Sequence, residues 1–307
     1  LPGRRRLPAA QPPLRARVMA RAEGAPLPTS VDVPAPSRRA GLFKRVLSTL
    51  VLLPVFIWIV LAGPIWAFGT TVVILGALGQ WEFTGMFQRA GFRPFRILGV
   101  VGGLLMTASF ALRVSERLAF TIILLGALSL VLWQRQGGRI EWEPAAITVF
   151  GICYVNWLLG YGFWLRDLPL GKEWVLLLVW VTWLGETAAY LVGSLLGRWP
   201  LAPGISPKKT VEGALAQLVV SVLAALAAHA WFFEGLPIGG AVFVGLLLGV
   251  VGQAGDLVES ALKRSVGTKD TGRLIPGHGG VLDRIDSLLF NTPVLFYYAA
   301  YVGKLPS

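Results

Sequence analysis

The chain has 307 residues, of which 55% are hydrophobic and 14% charged, with a mean hydropathy of +0.66. A soluble domain carries roughly a quarter charged residues, so the composition excludes a soluble globular protein and points to an integral membrane one. The net charge of +12 does not call for a nucleic-acid partner, because the basic residues fall between apolar spans rather than on one soluble face.

Residues 1–45 are rich in Pro, Ala and Arg and lack apolar periodicity, which predicts a disordered basic tail drawn to lipid headgroups. The tail has no small-residue cleavage site of the kind that ends a secretory signal. Met19 is the first methionine, which marks residues 1–18 as a candidate extension ahead of the natural start. Residues 46–307 are expected to form one membrane-embedded catalytic domain. Its apolar runs are long enough to cross a bilayer, at about 17 to 25 residues each. They predict an all-α polytopic protein of nine spans, near 46–62, 65–81, 97–112, 118–133, 145–165, 174–196, 211–232, 238–258 and 288–303. Gly63 and Pro64 make a tight hairpin between the first two. The single cysteine, Cys153, sits in an apolar run and reads as a packed, inert thiol.

Lys and Arg residues set the orientation. With the N-terminus inside, the inner segments 1–45, 82–96, 134–144, 197–210 and 259–287 hold 23 of the 28, and the outer segments hold 5. Without the tail the split is 13 against 5, so the N-terminus and the polar loops 197–210 and 259–287 are expected to face the cytoplasm, where nucleotides are.

Five acids lie in or at the ends of spans: Glu82, Glu186, Glu212, Asp256 and Glu259. A carboxylate in a membrane segment is a functional candidate by default. Asp256, Ser260 and Lys263 share one helical face, as do Asp283 and Asp286 if the last span begins there. Carboxylates at such spacing, joined by a third from another helix, suit Mg²⁺, which takes a few carboxylates plus substrate phosphate oxygens. Salt bridging to Lys263, Arg264 and Arg284 is the plainer reading of the same cluster. The run Pro276-Gly277-His278-Gly279-Gly280 predicts a turn whose N–H groups form an anion-binding nest, with His278 able to bond phosphate or to act as acid or base. Upstream, Lys208 and Lys209 stand beside a helix start suited to phosphates. Thr210 is expected to cap that helix, and Gly213 to permit close approach. His229, late in an apolar span, reads as structural.

The run from Ser260 through Lys263, Arg264, Lys269, Asp270, Gly279, Gly280, Asp283 and Arg284 to Asp286 resembles, without a gap, the signature of the phosphatidate cytidylyltransferases (CDP-diacylglycerol synthases). The segment from Ser206 to Gly213 is similar to the family's Ser-Pro-x-Lys-Thr-x-x-Gly, and Gly255-Asp256-Leu257 to its Gly-Asp-Leu. This chain has Glu186 where the family usually has aspartate ahead of Ala-Tyr-x-x-Gly. The resemblance covers about residues 42–304 and is most specific from Glu186 onward.

It implies transfer of the cytidylyl group of CTP to phosphatidate, giving CDP-diacylglycerol and pyrophosphate, at the cytoplasmic side of the cell (inner) membrane. Under it, Asp256, Asp283 and Asp286 are expected to hold Mg²⁺ with Glu186 as a further ligand, and a second cation such as K⁺ has a place. Lys263 and His278 join the aspartates as catalytic candidates. Ser206, Lys208, Lys209, Thr210, Ser260, Arg264, Lys269, Gly279, Gly280 and Arg284 are expected to contact triphosphate or lipid phosphate. A homodimer is compatible with the reading. Three rivals fit less well. A CTP-using polyprenol or phytol kinase would not need the intact signature, an ion-coupled transporter would show internal repeats, and an alcohol phosphatidyltransferase would need a denser aspartate motif.

Overall fold

A computed structural model describes residues 54–133, 135–136, 139–272, 274 and 279–302. The tail expected over residues 1–45 lies outside them, as do Gly277 and His278 of the predicted nest and the first part of the span expected over 46–62. In a bilayer each backbone polar group must be satisfied within its own segment, so long apolar runs become helices.

After a helical stretch over 54–61 come α1 (Ile65–Arg89), α2 (Arg96–Ala111) and α3 (Glu116–Trp133). A short antiparallel ribbon, β1 (Arg135–Gln136) with β2 (Arg139–Ile140), leads to α4 (Glu143–Gly151), a π-helical turn (Ile152–Trp157) and α5 (Leu158–Asp167). Next are α6 (Gly171–Leu196), a hairpin of β3 (Pro200–Ala202) and β4 (Ser206–Thr210), α7 (Val211–Trp231), α8 (Ile238–Ser265) and α9 (Leu282–Val302).

The architecture is that of an all-α membrane protein. Among the described residues, five helical segments are long and apolar enough to cross a membrane: Glu116–Trp133, Glu143–Asp167, Gly171–Leu196, Val211–Trp231 and Ile238–Ser265. The nine expected spans are not reached by this measure. α2 has only 16 residues, while α1 and α9 dilute their apolar surface with buried Gln80, Glu82, Asp286 and Asn291.

Several expected boundaries shift outward in the same way. The helix expected to end near 81 continues to Arg89, the one expected to end near 258 continues to Ser265, and the last begins at Leu282 rather than near 288. In each case the polar residues expected in loops are carried on helix ends, where neighbouring helices shield the backbone. α8 stops at Gly267, whose φ of 72° suits glycine, and the Thr268 N–H returns to the Lys263 carbonyl at 2.9 Å.

α1 to α5 form one half and α6 to α9 the other. α9 ties them together by packing on α1, α5, α6 and α8. One apolar core runs through both halves, with Phe83, Phe110, Ile152, Leu177, Leu248 and Leu282 fully buried. His229 has the structural part expected of it, with Nδ1 2.7 Å from the Leu236 carbonyl oxygen.

Candidate active site

The segment over 197–210, expected as a loop, is the β3–β4 hairpin. It turns through Pro203 and Gly204, and the Ile205 N–H donates to the Ala202 carbonyl at 3.1 Å. The hairpin delivers its lysines to the start of α7. Thr210 caps that helix as expected, its hydroxyl accepting the Gly213 N–H at 3.2 Å. A Cβ on Gly213 would stand 2.7 Å from the Ala189 carbonyl oxygen and 3.3 Å from the Gly193 Cα, so glycine is what lets α6 and α7 cross here. Glu186 and the Lys208–Lys209 pair thereby reach one cavity of about 590 Å³, which Thr210, Gln253 and Asp256 also line.

Lys209 and Asp256 form an ion pair across this cavity, Nζ to Oδ1 at 2.8 Å, with side chains 25% and 34% exposed. Lys208 is exposed beside them. Arg264 is turned toward the hairpin, donating from Nε to the Ile205 carbonyl at 3.3 Å and from Nη1 to Thr268 at 2.9 Å. Lys269 and Arg284 are exposed. Ser206 is half-buried and Ser260 buried, and neither lines the cavity.

A second cluster lies behind the first, where α8 meets α9. A Cβ on Gly255 would stand 2.9 Å from the Asp286 carbonyl oxygen and 3.1 Å from the Phe290 Cβ. The two helices therefore touch at that glycine, next to Asp256. Lys263 sits between two carboxylates, 2.8 Å from Asp283 Oδ1 and 3.5 Å from Glu259 Oε1. Asp283 Oδ2 accepts from the Thr271 N–H at 3.1 Å, the Thr271 hydroxyl at 2.9 Å and the Gly280 N–H at 2.9 Å.

Asp283 precedes the apolar part of α9. Burial pushes its carboxyl up, but the Lys263 ammonium outweighs this with the Gly280 and Thr271 donors, holding the group below the usual carboxylate range. The Gly280 N–H, expected to serve a phosphate nest, is thus committed to Asp283. Gly279 does adopt the left-handed backbone such a nest needs, at φ 88°.

Three residues without an assigned role in the sequence reading complete the site. Glu82, on α1, accepts the Leu282 N–H at 2.9 Å and so caps α9 from the other half of the molecule. It also meets the Thr271 hydroxyl at 3.4 Å, and Arg89, two turns on, holds the Thr271 carbonyl at 2.5 Å. Glu259 is buried, and neither of its oxygens has a hydrogen-bond donor among the described residues; the Lys263 ammonium is its ionic neighbour. Tyr154, in the π-helical turn, buries its hydroxyl without a partner among the described residues.

Asp286 is buried, its Oδ1 accepting the Ser287 N–H at 2.8 Å. Glu186 faces Asp286, Ser287 and Asp256 from α6. The donor set is that of a hard divalent cation: carboxylate oxygens, several of them short of donors. Among the described residues, however, no three of the acids stand close enough together to hold a metal as placed. Lys209 and Lys263 occupy the aspartates on either side.

Residues 43–302 match the Cytidylyltransferase family. The chain belongs to that family. It is similar to the phosphatidate cytidylyltransferase of Staphylococcus aureus (strain COL), 39% identical over 157 residues that make up 51% of this chain and 60% of that protein. Proteins of the same name from Staphylococcus haemolyticus (strain JCSC1435) and Staphylococcus epidermidis are 38% identical, again over 157 residues, 51% of this chain and 60% of each relative. The chain thus matches three-fifths of the length of these curated relatives.

Proposed function

We propose that this chain transfers the cytidylyl group of CTP to phosphatidate, giving CDP-diacylglycerol and pyrophosphate, in phospholipid biosynthesis. The observation that carries the reading is the Lys209–Asp256 pair, half-open to a cavity of about 590 Å³ that Lys208 and Glu186 also line. Phosphates would draw the lysine away from its carboxylate, and the freed carboxylate would then be open to a cation that accompanies them. The remaining lining, with Tyr190, Leu201 and Leu257, suits a lipid substrate better than a fully polar one. The distribution of basic residues supports a cytoplasmic orientation for this end of the bundle, and the membrane proposed is the cell (inner) membrane.

In the reaction a phosphatidate oxygen attacks the α-phosphorus of CTP, a new phosphorus–oxygen bond forms, and the bond to the β-phosphate breaks to release pyrophosphate. The protein's part is positioning and charge neutralisation. Lys208 and Lys209 take triphosphate oxygens, with Lys269 and Arg284 exposed to do the same. Lys263 holds Asp283 and the loop behind it. Mg²⁺ is the proposed cofactor, which Asp256 and Asp286 with Glu186 would hold; Asp283, paired with Lys263, would stand behind them. When bound, the cation would offset charge on the triphosphate. A second cation such as K⁺ would add to Lys263 in offsetting the charge of Glu259.

CTP labelled at the α- or the γ-phosphate, supplied to membranes containing this chain and phosphatidate, tests the reading. Label from the α position is expected in the lipid. Label from the γ position alone would replace the nucleotidyl transferase by a lipid kinase.

A further inference from the structure

A second cavity, of about 570 Å³, opens between α1, α2 and α5 and is lined by Trp66, Phe68, Phe110, Phe163, Trp164 and Arg166. It lies at the first turns of α1 and the last turns of α2 and α5. The active site lies at the far end of α1, and 25 helical residues rise about 37 Å, more than the roughly 30 Å of a bilayer core. The two cavities therefore occupy opposite ends of the bundle.

We propose that this cleft binds an anionic phospholipid, with its phosphodiester headgroup at Arg166, beside the Arg113–Asp167 ion pair that also lines the cleft, and an acyl chain along Trp66, Phe68 and Phe110. The first support is charge. Arg166 Nε is buried with no hydrogen-bond partner among the described residues, and its Nη2 reaches the Val60 carbonyl only at 3.4 Å. No described carboxylate pairs with it, because Asp167 is engaged by Arg113 at 2.5 Å. A shielded guanidinium with an unused donor favours an anionic acceptor.

The second support is the rim. Trp66 is 71% exposed, and Ile65 and Leu112 are exposed beside it. The mouth is therefore apolar and aromatic, as at a membrane interface. A free phosphate would gain nothing from this lining, and a neutral lipid would leave the Arg166 donor unmatched.

The test uses the full chain purified in mild detergent and native mass spectrometry of the lipid it retains. The probes are phosphatidylglycerol and diacylglycerol of equal chain length, with glycerol phosphate as a soluble competitor. The expected result is about tenfold preferential retention of phosphatidylglycerol, the effect of one charge-assisted contact, with no displacement by glycerol phosphate. Arg166→Gln should abolish the preference. Thr70→Trp should lower retention of both lipids: Thr70 is exposed and lines the cleft, and its hydroxyl bonds only its own helix at the Trp66 carbonyl. Equal retention of the two lipids by the unaltered protein would overturn the proposal, as would displacement by glycerol phosphate. So would unchanged phosphatidylglycerol retention in Thr70→Trp, which holds even if Arg166→Gln fails to fold.

Discussion

Two lysine–aspartate pairs stand at the same end of the bundle with the same 2.8 Å separation, yet their surroundings differ. Lys209 and Asp256 meet at the wall of a cavity and keep a quarter to a third of their surface open. Lys263 and Asp283 are 12% and 7% exposed, with Glu259 and the Thr271–Gly280 loop closing over them. An exposed pair is worth little to stability and exchanges partners readily. A buried pair adds little net stability, but removing one partner strands the other charge. Equal distances thus serve unequal ends: the open pair can release its groups to a ligand, and the closed pair holds the loop that shapes the site.

The sharpest break in this comparison is Lys263→Ala. It leaves Asp283 and Glu259 buried without their cation, a loss of about 3–5 kcal/mol and a fall in Tm on the order of 10 °C. A thermal melt in detergent checks this, and product formation should fall with it. Lys209→Gln acts on the open pair and is the milder change. Tm should fall less than in Lys263→Ala, since a pair a quarter to a third exposed is partly screened by solvent. The KM for CTP should rise about tenfold, equivalent to one lost charge-assisted phosphate contact. Initial rates over a CTP series separate the two. A large loss of stability in Lys209→Gln, with KM unchanged, would reverse the roles of the pairs.

Much of the open region was legible from local residues. Thr210 before an apolar run, with Gly213 three residues on, predicts the cap that forms, and two lysines ahead of it predict the basic wall of the cavity. Asp256 sits among small residues, and the close contact at Gly255 follows from them. The buried region was less legible because its partners are distant in the chain. Glu82 lies 200 positions before the Leu282 N–H that it accepts, and nothing local to either residue announces the other. Tyr154 lay in an apolar run that reads as ordinary helix, and nothing in that run marks a π-helical turn or a buried hydroxyl without a partner. Asp283 was expected to face a metal, but its place in the loop depends on Lys263 and Thr271 folding back over it. The nine-span count stumbled on the same feature, since polar residues that serve the interior lower the hydropathy of α1 and α9.

Asp256→Asn tests the central claim most directly. It removes one charge from the open pair while keeping the shape of the side chain. Measured together, Tm in detergent should stay near that of the unaltered protein, and CTP-dependent lipid product should fall at least about 100-fold, as when a charge-stabilising group is removed from an active site. Near-normal product formation with the same Tm would contradict the account.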